Sequence, residues 1–89
     1  MLEKMVVIKN AIGLHARPAS YLVKEATRFK SEIMIIKGGN EYNCKSIMNV
    51  LSMGAKKGDE ILLKIEGSDE AEAMEALVDL IENTLIEHD

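Results

Sequence analysis

The spacing of apolar residues changes period several times along this chain, and that alternation restricts the fold more than any other feature. Lys4 to Lys9 holds the run Met5-Val6-Val7-Ile8. Such a β-rich run predicts a first strand, ended by the turn residues Asn10 and Gly13. From Ala16 the spacing becomes three and four. Ala16, Ala19, Leu22, Val23, Ala26 and Phe29 share one face of a helix, with Lys24, Glu25 and Arg28 on the other. Pro18 falls in the first turn, where a missing N–H does no harm. His15 is then the last residue before the helix, or its cap.

The second half alternates in the same way. Glu32 to Lys37, with Ile33-Met34-Ile35-Ile36, predicts a second strand. Gly38-Gly39-Asn40 predicts a turn and Glu41 to Cys44 a short returning strand. Ser46 suits an N-cap. Ile47, Met48, Val50, Leu51 and Met53 follow as a short helix, apolar on more than one side and stopped by Gly54 and Gly58. Ile61, Leu63 and Ile65 alternate in a fourth strand closed by Gly67. Asp69, with Glu72 three residues on, reads as a capping box. Ala71, Met74, Leu77, Val78, Ile81 and Leu85 form the buried stripe of a last helix. The order β-α-β-β-α-β-α predicts an α+β two-layer open-faced sandwich, one sheet covered on one face by helices. Gly- and Asn-rich turns favour antiparallel pairing.

Size and charge narrow the chemistry. A chain of 89 residues, 47% hydrophobic and 29% charged, predicts a single domain over 1–89. It can bury one core but cannot enclose a deep cleft, so its chemistry is expected at the surface. Net charge is −4 and no Lys/Arg run exceeds two residues, which argues against nucleic acid. No apolar stretch approaches the roughly 20 residues that span a bilayer. The N-terminus lacks the pattern of a signal peptide. One cysteine excludes an internal disulfide and fits a reducing compartment, so a cytoplasmic protein is expected.

The segment Gly13-Leu14-His15-Ala16-Arg17-Pro18-Ala19 carries the strongest chemical signal. A transferable phosphoryl group needs a neutral nucleophile near pH 7, positive partial charge around its oxygens, and exposure to donor and acceptor. Imidazole titrates near pH 6.5 in ordinary surroundings, and the positive end of a helix opposes a second positive charge beside it. The amides of Ala16 and Arg17 precede the first intrahelical bond and are free to meet oxygens. The Arg17 guanidinium is a fork suited to phosphate. No base, metal-ligand cluster or binding cleft accompanies them. That predicts a carrier rather than an enzyme, with no cofactor. The bland alternative is a solvated histidine at a helix cap.

Gly-Leu-His-Ala-Arg-Pro-Ala at 13–19, together with Lys45-Ser46-Ile47-Met48, resembles the histidine-containing phosphocarrier (HPr) family of the phosphoenolpyruvate-dependent sugar phosphotransferase system. The resemblance covers essentially the whole chain. It implies a four-stranded antiparallel sheet with three helices on one face. It implies phosphorylation of His15 at Nδ1, with Arg17 contacting the phosphate. Enzyme I is the implied donor, and sugar-specific EIIA domains are the implied acceptors. A monomer suits a carrier that presents one face to successive partners.

At Ser46 the residues alone predict an N-cap, typically worth about 1 kcal/mol. The resemblance adds regulatory phosphorylation by an HPr kinase/phosphorylase and docking to catabolite control protein A. A dianion is tolerated at a helix N-terminus, so its effect would fall on docking. Ile47, Met48 and Leu51 match the family's partner-binding patch. Without the resemblance they read as core. Cys44 is expected to be a half-buried strand residue, and His88 is assigned no role. Three positions depart from the family pattern: Ile12 replaces a polar residue, Asn49 a common glycine, and Cys44 an aliphatic residue or alanine. Three other readings compete. One is a regulatory relative acting through Ser46, although such paralogues lack the active histidine. Another is a module that binds a free anion at His15 and Arg17. The last is a relay to a non-sugar target.

Overall fold

The inward face of the sheet is set by strict alternation. The computed structural model describes residues 1–87, and in it Val6, Ile33, Ile35, Ile61, Leu63 and Ile65 are all buried. The residues between them along β2 and β4 are not. The strands are β1 (Leu2–Val7), β2 (Glu32–Lys37), β3 (Asn40–Asn43) and β4 (Glu60–Glu66), in the order β1-β4-β2-β3 and antiparallel throughout. Val6 pairs with Ile61, Ile35 with Leu63 and Ile33 with Ile65, which lines the apolar side chains up across the sheet.

The helices are α1 (Ala16–Thr27), α2 (Ile47–Met53) and α3 (Glu70–Asp79). The last runs on through a π-helical turn (Leu80–Thr84) into a final α turn (Leu85–Glu87). They add Leu22 and Ala26, then Val50 and Met53, then Ala73, Met74, Leu77, Ile81 and Leu85 to the same core. Each large aliphatic side chain removed from water there contributes about 1.5–3 kcal/mol. The architecture is the predicted β-α-β-β-α-β-α sandwich.

Several local expectations are corrected. β1 begins at Leu2 rather than Lys4, because pairing with Ile65 sets its start. Leu2 and Glu3 are exposed and precede the apolar run, and the strand ends at Val7, short of the expected Ile8 and Lys9. Gly38 and Gly39 alone make the hairpin turn, both with positive φ, so Asn40 is already in the strand, paired with Lys37. Cys44 lies just past β3 and is fully buried, its N–H bonded to the Ile33 carbonyl. Burial pushes its thiol up to about 12, against a smaller opposing effect of Lys45. Ala16 and Ala71 are exposed, and Ala73 faces the core in place of Ala71. A single methyl carries little burial free energy and is a weak guide to facing. His88 lies outside the described residues.

The expected capping box at α3 is absent. The Asp69 carboxylate makes no cap bond. It turns instead to the loop after α1, accepting from the Lys30 N–H (2.9 Å), the Ser31 N–H (2.9 Å) and the Ser31 hydroxyl. Three donors there outweigh the one a cap offers. Glu70, not Glu72, reaches back, its Oε1 accepting from the Gly67 N–H at 3.1 Å.

Candidate functional site

His15 is presented by a loop tied at three points. The Gly13 N–H donates to the Asn10 carbonyl (3.1 Å), and Asn10 Nδ2 donates back to the Gly13 carbonyl (2.6 Å). The Leu14 N–H donates to the Ala55 carbonyl (3.0 Å), and the Leu14 side chain is buried. Gly13 at φ +68° lets the chain reverse. The buried anchor at Leu14 leaves His15, the next residue, facing solvent.

His15 occupies the N-cap position of α1 in extended backbone, φ −78° and ψ −172°, and its ring makes no capping bond. Its carbonyl accepts the first helical bond, from the Ala19 N–H at 2.8 Å. The N–H groups of Ala16 and Arg17 lie before that bond, at the positive end of the twelve-residue helix. Arg17 is exposed beside them, and Pro18 packs inward. A helix N-terminus, an exposed imidazole and an exposed arginine thus fall within three consecutive residues, although Arg17 does not line the open pocket beside the ring.

A shallow open pocket of about 500 Å³ adjoins the ring, lined by Ile12, Leu14, Leu51, Ala55, Lys56 and Lys57 among others. It brings Leu51 of α2 to His15. The two lysines were not singled out from the sequence. The available signal was that they are its one pair of adjacent cations, set between Gly54 and Gly58. Gly54 ends α2 in the left-handed conformation and turns the chain back towards the His15 loop. Asn10, read from the sequence only as a turn residue, is fully buried and holds that loop.

The helix α2 divides in two. Val50 and Met53 are buried, whereas Met48 is 73% exposed and Ile47 and Leu51 are each more than a third exposed. Three apolar side chains left in solvent on so short a helix form a surface patch. Ser46 caps this helix, its Oγ accepting from the Asn49 N–H at 3.2 Å. Ser46 does not line the His15 pocket.

A sequence model described as PTS HPr component phosphorylation site matches residues 2–83. This chain belongs to the HPr family. HPr proteins are the phosphocarriers of the phosphotransferase system. The chain is 46% identical to phosphocarrier protein HPr of Mycoplasma pneumoniae, over 92% of this chain and 94% of that protein. It is also 52% identical to the HPr-like protein Crh of Halalkalibacterium halodurans, over 92% and 98%. The crystal structure of an HPr from Thermoanaerobacter tengcongensis superposes with a TM-score of 0.90 at 49% identity, covering 92% of each chain.

Two further neighbours are dimers, against the monomer expected from the sequence. One is an HPr dimer from the same Thermoanaerobacter (TM-score 0.75, 48% identity, 94% and 97% coverage). The other is a swapped, intertwined Crh dimer from Bacillus subtilis (TM-score 0.74, 39% identity, 92% and 94% coverage). Among the described residues, no helix is long and apolar enough to cross a membrane.

Proposed function

We propose that this HPr-family chain carries a phosphoryl group on His15, received from phospho-enzyme I and passed to EIIA domains in the cytoplasm. The observation that carries this reading is the exposed His15 ring at the start of α1, beside the free N–H groups of Ala16 and Arg17. A ring nitrogen attacks the phosphorus of the donor. The new N–P bond forms as the donor's bond to phosphorus breaks, and the acceptor repeats the exchange in the opposite sense. The two amides and the Arg17 guanidinium offset charge on the phosphoryl oxygens. The chain presents the group and its partners supply the catalysis, which makes it a carrier rather than an enzyme. Ile47, Met48 and Leu51 give partners an apolar surface near the ring.

Ser46 is the proposed regulatory position. Phosphorylation there by an HPr kinase/phosphorylase places a dianion at the rim of that apolar surface. The charge opposes docking of an acidic donor and offers a contact to a regulator such as catabolite control protein A. Similarity to Crh favours a second reading, a regulatory protein acting through Ser46, and the dimeric neighbours leave a second copy among the candidate partners. The presence of His15 favours the carrier.

The test is intact-protein mass spectrometry after incubation with phosphoenolpyruvate and enzyme I. A gain of one phosphoryl group, lost in mild acid and absent in His15→Ala, is the expected result. No gain, with enzyme I active on another HPr, would overturn the carrier in favour of the regulatory reading.

A further inference from the structure

Asn49 holds the Ser46 hydroxyl from two sides. A hydroxyl oxygen has two lone pairs. One accepts from the Asn49 backbone N–H at 3.2 Å, the ordinary N-cap bond. The other accepts from Asn49 Nδ2 at 3.1 Å. The carboxamide is itself tethered, because its Oδ1 accepts from the Asn43 N–H at 3.1 Å. Asn43 is built into the same turn: its carbonyl accepts from the Ser46 N–H (3.0 Å) and its Oδ1 from the Lys45 N–H (2.9 Å). The Lys45 ammonium is drawn away to the Phe29 carbonyl at 2.7 Å. Ser46 is half-buried within this network.

The geometry points to Asn49 as a specificity-determining residue that slows phosphorylation of Ser46. This rests on the reading of Ser46 as a modified residue. In that modification Ser46 Oγ attacks the γ-phosphorus of ATP. The Oγ–P bond forms, the bond from that phosphorus to the bridging oxygen breaks, ADP leaves, and the hydroxyl proton passes to a base on the kinase. Attack needs a lone pair aimed at phosphorus, and here both are taken. Freeing one means breaking the Nδ2 bond. Moving the carboxamide aside also breaks its bond to Asn43. The backbone cap is unaffected, so the brake resides in the side chain alone. It sets how readily a kinase modifies this chain, independently of how well the kinase binds it.

The experiment is steady-state phosphorylation by HPr kinase/phosphorylase with ATP and magnesium, read by intact mass, on the wild type, Asn49→Ala and Asn49→Leu. Leucine keeps the bulk and removes both polar atoms. Amide spectra verify that α2 persists in each. Both variants are expected to raise kcat about tenfold, the effect of losing one to two neutral hydrogen bonds, with KM for the chain unchanged. Equal rates in wild type and variants would overturn the brake while leaving Ser46 as a modified residue. A fast alanine variant beside a slow leucine variant would overturn hydrogen bonding in favour of shielding. No modification of any of the three, with the kinase active on another HPr, would overturn both this inference and the reading of Ser46.

Discussion

Gly13 rests against Ala55: a Cβ placed on Gly13 would meet the Ala55 carbonyl oxygen at 2.5 Å and the Lys56 Cα at 2.8 Å. The same carbonyl accepts the Leu14 N–H, so the loop that carries His15 and the turn that follows α2 are one joined surface. Gly13→Ala combines a backbone clash with a left-handed residue. It is expected to cost about 3 kcal/mol. Urea unfolding measures this as a lowered midpoint at unchanged m-value. The variant is also expected to slow phosphoryl acceptance more than its stability loss explains, since the loop presenting His15 has moved.

Arg17→Ala is expected to slow phosphoryl transfer from enzyme I by about ten- to a hundredfold, the worth of one charge-assisted bond. The melting temperature should stay close to wild type, because Arg17 is exposed. Arg17→Lys is expected to recover only part of the rate, since an ammonium lacks the fork. Stopped-flow or quench-flow phosphorylation resolves the three proteins. Equal rates would remove Arg17 from the site.

Asp69 links stability to acid. The Ser31 hydroxyl, then the Lys30 N–H, hold its carboxyl below the ordinary value. A carboxyl depressed on folding adds stability that is fully present above the unfolded value of about 3.9. That contribution is lost as pH falls through the folded value. Asp69→Asn should therefore be destabilised at pH 7, and its difference from wild type should shrink as pH falls below about 4. Thermal melts across pH 2–7 measure this. A constant difference would contradict the linkage.

Cys44 links stability to base. Its thiol is pushed up to about 12 by burial, against about 8.5 in an unfolded chain. A group raised on folding stabilises below the unfolded value, and its contribution fades as pH rises from there through the folded one. Relative to Cys44→Ala, the wild type should lose stability between about pH 8.5 and 12. Ellman's reagent should label the folded protein slowly and the urea-unfolded protein fully. Fast labelling of the native state would contradict the burial.

How much of this was legible depended on whether a signal was local. Ile61, Leu63 and Ile65 alternate within one strand, so their facing could be read directly. His15, Arg17 and Pro18 stand together, and a helix start is a local event. The division of α2 into buried Val50 and Met53 and exposed Ile47, Met48 and Leu51 was open to two readings, because a seven-residue apolar helix has no single period. Asp69 misled for a different reason. Its donors, Lys30 and Ser31, lie 39 and 38 positions away in sequence, and a capping motif cannot register a distant competitor. The backbone bond from Asn49 to Ser46 follows from the N-cap, but the second bond from its carboxamide, and the tether of that carboxamide to the Asn43 N–H, had no signal in the sequence.

The strand order β1-β4-β2-β3 has a consequence for synthesis. β2 and β3 are neighbours in sequence and are free to pair once both have left the ribosome, whereas β4, the other partner of β2, follows later. β1 is made first but pairs only with β4, the last strand to emerge. The N-terminal strand must therefore wait, with Val6 and Ile8 uncovered, while most of the chain is translated. The segment that leads directly to His15 is the last part of the sheet to close, so in a nascent chain the His15 loop is held in place only when the whole sheet is complete.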